Sequence, residues 1–288
     1  MSSIRTLTRL CARTKTLTTI TRLLSLDLPE LEPYLTMRRP AGHRERGIFI
    51  AEGEKVVRRL VESDLDIISI LLTEEWLVTY SPLIEKRRVE EGVYVAGKKL
   101  LEEIVGYKLH QGIMAIGRVP EPADVFASEK PSNDRRLLVA LDGVANSENM
   151  GVIVRNCAAL GVDALIVGET SCDPYLRRSV RNSMGTIFNL PIAKCEHLVT
   201  VLESMRKDHG VRIVAANPRD GAVDVGSADL SGDLCIVFGS EGEGVSPQVL
   251  AGCETVVRIP MQHDVDSINV GSSVGVILYE CARQRSAV

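Results

Sequence analysis

Five short runs in the second half of the chain constrain its fold most: Leu137–Leu141, Ala164–Val167, Ile213–Ala216, Leu234–Phe238 and Val256–Ile259. Each is almost continuously apolar instead of alternating, and a stretch with helical spacing separates each from the next. A strand that is apolar on both faces has to be covered on both faces, which is the condition of a mostly parallel sheet between layers of helices. The expected class is therefore α/β. Such sheets bind ligands beyond the carboxyl ends of their strands, so the segments that follow these runs are the places to look for chemistry.

The first half alternates on a smaller scale. Gly47–Ala51 is strand-like, and Glu54–Ser63 carries Val56, Val57, Leu60 and Val61 at helical spacing. Ile67–Thr73 is rich in β-formers, Pro82–Glu91 reads as a charged helix, Val93–Ala96 as a strand, Lys98–Val105 as a helix and Ile113–Val119 as a last strand. With 288 residues two domains are expected: a smaller α/β domain over 29–120, a proline-broken linker over 121–135 and the parallel-sheet domain over 136–288. Residues 1–28 form an N-terminal extension. Its first 26 residues hold no acid, five Lys or Arg and seven Thr, a composition like that of an organellar transit peptide. Nothing else points to an organelle, so a ragged start or short helix is the preferred reading.

The net charge of −4 argues against a strongly basic nucleic-acid binder, but the charge is uneven. Residues 1–120 carry 19 Lys and Arg against 16 Asp and Glu, whereas 136–288 carry 13 against 18. That distribution permits a polyanion to be gripped by the first domain. No apolar run approaches bilayer-spanning length, so no membrane partner is expected. The seven cysteines form no CxxC pair, which suits free thiols in a reducing compartment, the cytoplasm.

Three segments gather glycine, proline and polar side chains beyond apolar runs. Asn149-Met-Gly-Val-Ile-Val-Arg155 opens a helix that Gly161 closes. Asn149 suits an N-cap, while Gly151 permits a close approach. Gly239-Ser-Glu-Gly-Glu-Gly244 follows a strand but lacks the spacing of a P-loop or a dinucleotide fingerprint. Its carboxylates, Glu241 and Glu243, would repel a phosphate and suit hydroxyls or a positive charge. Ile259-Pro-Met261 ends the last strand, and Ser267-Ile-Asn269 opens the terminal helix, with Ser267 as a candidate cap. The five histidines show no metal spacing, and no nucleophile elbow is present. Phe49, Tyr94 and Tyr107 are read as core in preference to a base-stacking platform.

Together the three segments resemble the signature motifs of the SpoU (TrmH) family of RNA 2′-O-ribose methyltransferases, in the SPOUT superfamily, over residues 137–285. Phe49-Ile-Ala-Glu-Gly-Glu54 and His110-Gln-Gly112 make the first domain similar to an accessory RNA-binding domain of the ribosomal protein L30e type. The resemblance implies a C-terminal α/β domain tied in a trefoil knot, S-adenosylmethionine (S-adenosyl-L-methionine) as cofactor, rRNA or tRNA as substrate and a homodimer formed through the knotted domain. It further implies cofactor contacts at Gly239, Ile259, Met261 and Ile268, and active-site positions at Asn149, Arg155, Glu241, Ser267 and Asn269. An arginine is always protonated near neutrality, so orienting an RNA phosphate suits Arg155 better than acting as a base. Glu241 would then hold Arg155 or Asn149, with Ser267 and Asn269 positioning the 2′-hydroxyl and the loop.

One departure concerns His263 and Asp264, where members of the family often carry a glycine. Two other readings were weighed. A non-catalytic RNA-binding protein that keeps the fold is disfavoured by the intact Asn149, Arg155, Glu241 and Asn269. An oxidoreductase or nucleotide enzyme is disfavoured by the missing fingerprint spacing.

Overall fold

The computed structural model describes residues 5–10, 17–106, 112–126, 135–219, 221–263 and 265–286. Cys11, Tyr107, His110 with Gln111, most of the expected linker (127–134) and Asp264 lie outside the described residues. In chain order the elements are β1 (Arg5–Leu10), β2 (Leu17–Arg22), α1 (Glu32–Leu35), α2 (Pro40–Glu45), β3 (Ile48–Glu52), α3 (Glu54–Glu62), β4 (Ile67–Leu72), α4 (Glu74–Ile84), β5 (Val89–Val95), α5 (Lys98–Val105) and β6 (Ile113–Arg118). They continue with β7 (Leu137–Asp142), α6 (Ser147–Ala159), β8 (Ala164–Val167), α7 (Arg177–Asn182), β9 (Ile192–Lys194), α8 (Leu198–His209), β10 (Arg212–Ala216), β11 (Val223–Asp224), β12 (Leu234–Gly239), α9 (Pro247–Ala251), β13 (Thr255–Arg258) and α10 (Val270–Ser286). The chain divides into two compact units. One comprises Met1–Pro120 with Tyr175–Phe188, the other Glu121–Pro174 with Asn189–Val288.

The first unit is a mixed sheet in the order β1-β2-β5-β4-β6-β3. β2, β5 and β4 are mutually parallel, and β6 runs antiparallel to both its neighbours. Leu31, Tyr34, Ile50, Leu71 and Met114 meet in its core. The one polar atom that Tyr34 carries inward is satisfied by the Ser69 hydroxyl at 2.9 Å. Residues from much later in the chain complete this unit. Phe49 packs between Tyr175 and Phe188, with ring centroids 5.5 and 5.3 Å away. Arg177 pairs with the buried Glu52 at 2.6 Å. Phe49 and Tyr94 are 1% and 5% exposed, so both serve as core and neither offers a face to a base.

Two expectations for this unit change. The charged helix expected over Pro82–Glu91 is instead α4, which starts eight residues earlier. Glu74 and Glu75 favour its first turn, and Leu77, Tyr80 and Ile84 form its buried stripe. Pro82 sits within its last turn, where the carbonyl it leaves unpaired belongs to the exposed Val78. Residues 89–91 already belong to β5. The start of the chain, expected to be ragged or helical, contributes two paired strands, and β2 runs parallel to β5. Alternate threonines and Ile20 favour extended backbone there.

The second unit is a seven-stranded sheet in the order β11-β13-β10-β12-β7-β8-β9, with every pair parallel. The five apolar runs are its five longest strands; double-sided burial is the reason β7, β8 and β12 read as continuous, whereas in β13 only Val257 is buried. The short strands β9 and β11, missed in the sequence, are its two edges. Leu138, Ala140, Ile166, Ile213, Cys235 and Val237 form one core layer with α8. Each fully buried aliphatic side chain contributes about 1.5–3 kcal/mol. At the close of α6, Gly161 adopts a φ of 75°, as expected of a glycine just past a helix end.

Burial raises the cysteines. Cys172, Cys195 and Cys253 are pushed up to about 11 and Cys281 to about 12, with Cys157 and Cys235 higher still. In an unfolded chain a thiol ionises near about 8.5. Above that pH the unfolded state loses protons that the folded state keeps, so stability falls as pH rises. Urea midpoints are expected to stay level between about pH 7 and 8 and to drop from about pH 9 upward. A midpoint unchanged at pH 10 would contradict this.

Candidate active site

The order of the second sheet decides where its crevice lies. From β7 the chain passes through α6 to β8 on one side, and from β12 it passes through α9 to β13 by way of the other side. The loops after β7 and β12 therefore part, and parting loops leave a crevice at the carboxyl ends of adjacent strands. β12 and β7 are paired in register as far as Gly239 opposite Asp142.

The glycine-rich loop turns back sharply after β12. Ser240 and Gly244 exchange two backbone hydrogen bonds of 3.0 and 3.1 Å, and the Ser240 Oγ accepts the Glu243 N–H at 3.1 Å. Gly244 uses a φ of 71°, and a Cβ on Gly239 would lie 1.9 Å from the Gly244 carbonyl carbon. The far end of the loop is tied to β7, where the Asp142 carboxylate accepts the Ser246 N–H at 2.7 Å.

Asn149, read in the sequence as an N-cap, does not cap. The helix begins two residues earlier, and the cap is Asn146, whose Oδ1 accepts the N–H groups of Glu148 and Asn149 at 2.7 and 3.3 Å. The Asn149 carboxamide is thereby released to cross the crevice. Its Nδ2 donates to Glu241 Oε1, and its Oδ1 accepts from Asn269 Nδ2 at 3.0 Å. Asn269 in turn accepts the Gly271 N–H at 2.9 Å and is the residue that caps α10. Ser267, the cap expected from sequence, is exposed on the preceding loop. The difference is one of register, because α10 starts at Val270 and the nearest unpaired N–H is two residues beyond Asn269. The bonds from Gly271 through Asn269 and Asn149 to Glu241 all run in one direction. Turning either amide over would set oxygen against oxygen, so the chain fixes both amides and leaves Glu241 with an oxygen for a ligand.

Beside this chain lies a cavity of about 590 Å³, walled by the ends of β10, β12 and β13 and by the start of α10. Gly239, Ile259, Met261 and Ile268 all line it, as do Glu241, Ser267 and Asn269. Asn149 reaches it through its two bonds. Arg155 is elsewhere: it is exposed on α6 and makes no hydrogen bond or ion pair with any described residue, Glu241 included. His263 holds a φ of 56°, the left-handed region that favours glycine, so the histidine stands where the backbone itself would suit a glycine. Ala216, Asn217 and Pro218 also line the cavity and were not singled out in the sequence. Asn-Pro directly after an apolar run is a turn signal that would have marked them. The Gly271 carbonyl accepts from Asn156 at 2.7 Å, and a Cβ on Gly271 would stand 2.8 Å from Val152, so a glycine lets α10 lie close on α6.

A parallel α/β sheet with a cavity at the carboxyl ends of its strands and a fixed carboxylate at the mouth defines a ligand-binding enzyme of the α/β class. Residues 136–279 match the SpoU rRNA Methylase family, and the chain belongs to that family. It is 32% identical to the uncharacterized tRNA/rRNA methyltransferase Rv0881 of Mycobacterium tuberculosis over 267 residues, covering 89% of this chain and 90% of the relative. Identity to the 23S rRNA (guanosine-2′-O-)-methyltransferase RlmB of Acinetobacter baylyi is 31%, over 67% of this chain and 79% of that one. In fold the chain is similar to the crystal structure of an AdoMet-bound rRNA methyltransferase from Sinorhizobium meliloti, with a TM-score of 0.80 at 24% identity over 92% of this chain and 98% of the other.

Gly239→Ala is expected to displace the glycine loop, because the obstruction is backbone and cannot rotate away. The measurement is the thermal midpoint together with ligand binding at the cavity, and both should fall. His263→Gly should leave the unfolding free energy within about 1 kcal/mol of the parent or raise it, whereas His263→Val should lower it by about 1–2 kcal/mol.

Proposed function

We propose that the protein is an S-adenosylmethionine-dependent RNA methyltransferase that modifies a ribose 2′-hydroxyl of rRNA or tRNA. The observation that carries this reading is the Asn149–Glu241–Asn269 chain at the mouth of the glycine-loop cavity, in a chain of the SpoU family. Its relatives point the same way: the Acinetobacter protein is a 23S rRNA (guanosine-2′-O-)-methyltransferase, and the Sinorhizobium rRNA methyltransferase was crystallised with AdoMet bound.

The cavity residues fit the cofactor. Its volume is that of a small-molecule site. Phe238, Ile259, Ile268 and Ile277 offer apolar walls to a flat heterocycle, and the close crossing at Gly239 leaves backbone groups free of side chains beside them. Glu241, Glu243 and Asp266 supply negative charge for hydroxyls and a sulfonium. Gly239, Ile259, Met261 and Ile268 are assigned to binding it. When bound, S-adenosylmethionine supplies a methyl group already activated towards a nucleophile.

The remaining work falls to side chains. Glu241, oriented by Asn149, receives a hydrogen bond from the ribose 2′-hydroxyl through its second oxygen. Asn269 and Ser267 hold the loop against the target nucleotide, and positioning of this kind lowers the barrier by removing orientational freedom. Arg155, always cationic, is assigned to an RNA phosphate. Its lack of a bond to Glu241 in one chain is accounted for if it serves the crevice of a second copy. Val152 on α6 and Val276 and Tyr279 on α10 are exposed at 38%, 43% and 64%, and a homodimer formed through this domain would cover them. A trefoil knot in the same domain is assigned from the chain's membership of the SpoU family. Residues 29–120 are assigned as the L30e-type RNA-binding domain, joined by 121–135 to the methyltransferase domain 136–288. The free thiols suit the reducing cytoplasm.

Calorimetry is expected to show one cofactor site per chain; no heat with S-adenosylmethionine or its demethylated product would sink the proposal. Arg155→Ala should lower methyl transfer by about two orders of magnitude and change cofactor affinity by less than about twofold. Sedimentation should give twice the chain mass of 31.5 kDa, and Tyr279→Glu should shift it towards one chain.

A further inference from the structure

The carboxyl edge of the second sheet continues past the catalytic chain, over β7, β8 and β9. The loop after β8 is bonded to the end of β7 as firmly as the glycine loop is. Ser171 Oγ accepts the N–H groups of Gly143 and Val144 at 3.1 Å each and donates to the Leu141 carbonyl at 3.2 Å. The Cys172 N–H donates to the Val144 carbonyl at 2.9 Å. A Cβ on Gly143 would lie 3.6 Å from both Ser240 Cβ and Thr170 Oγ1, so Thr170 flanks the residue next to Glu241. Glu169, also on this loop, accepts the Leu198 N–H at 2.9 Å.

At the far end of this edge stands Lys194, the last residue of β9, in register with Val167, itself in register with Leu141. Its Nζ lies 2.8 Å from Asp173, with the lysine side chain 49% exposed and the aspartate 15%. The acid is thus embedded in the loop, while the ammonium keeps donors pointing outward. Three strand spacings, about 14 Å, separate β9 from β12, whose loop carries Glu241, and the lysine side chain spans part of that gap. In a half of the chain where acids outnumber Lys and Arg by 18 to 13, a polyanion finds few places to settle beside the site, and this is one.

We propose that the loop 168–173 and Lys194 form a second RNA subsite, in which Lys194 holds a phosphate one or two nucleotides from the methylated one. Asp173 occupies the ammonium until that phosphate replaces it. An exposed pair of this kind is weak enough to exchange. The subsite rests on the reading of the protein as an RNA methyltransferase.

The test uses the full chain, saturating S-adenosylmethionine and total RNA from cells that lack the protein. Methyl transfer by the parent, K194A, K194R and D173N is followed across salt concentrations. K194A is expected to raise KM for RNA several-fold at unchanged kcat and cofactor affinity. The slope of log KM against log salt should fall by roughly 0.7 to 1, the contribution of one phosphate contact. K194R should keep both values near the parent's, and D173N should leave KM unchanged or lower it, because it frees the ammonium. A parent that methylates while K194A keeps its KM and slope would overturn the subsite alone. So would D173N reproducing the K194A defect with an equal loss of thermal stability, since the pair would then be structural. A parent that methylates no RNA would overturn the underlying reading, and the subsite with it.

Discussion

The backbone of Gly244 crosses Gly239 so closely that no side chain fits between them: a single added carbon would stand 1.9 Å from the carbonyl carbon. That contact sets the path of everything after β12. It lets Ser240 and Gly244 pair, which holds Glu241 at the tip of a tight loop. It brings Ser246 within reach of Asp142, and so ties the loop to the neighbouring strand. It also leaves a wall of bare backbone beside the cavity. Close backbone approach is what glycine uniquely permits, so this one residue couples the sheet to the site.

The polar part of the site depends on a second constraint, the direction of its hydrogen bonds. The N–H of Gly271 starts a series in which each carboxamide accepts at one atom and donates at the other, ending at Glu241. Residues from three separate stretches are locked by a helix terminus that needs an acceptor in any case. The cap of α10 is therefore also the orienting element of the carboxylate, and stability and function draw on the same bond. Arg155 stands outside this network on an exposed helix face. That separation is why the proposed chemistry calls on a second copy of the chain.

Much of this was legible in the residues. Leu137–Leu141 and Leu234–Phe238 read as doubly covered strands because burial on both faces removes alternation, and both are central in the sheet. Glycines clustered after β12, and the Ile-Pro-Met and Ser-Ile-Asn groups flanking the last loop, marked the cavity lining correctly. What local pattern misjudged was register. Asn146 and Asn149 are equally good caps by residue type, and so are Ser267 and Asn269; Asn149 leaves the cap to Asn146 and crosses the crevice, whereas Asn269 both caps and crosses. Pro82 looked like a helix start because proline is common there, although the acids and the apolar stripe that define α4 lie ahead of it.

By itself the sequence determined the class of fold, the five longest strands of the parallel sheet and the three segments beyond them, since these follow from apolar periodicity and from residue types with few conformational alternatives. Only the tertiary structure decided which asparagine caps and which one reaches Glu241, that Tyr175–Phe188 completes the first unit, that β9 and β11 close the edges of the second sheet, and that His263 holds a backbone angle suited to glycine. The reach of Asn149 to Glu241, the packing of Tyr175 and Phe188 and the pairing of the edge strands are set by partners distant in sequence, through a hydrogen bond, a ring contact or a strand pairing, and no local pattern carries such a partner's position.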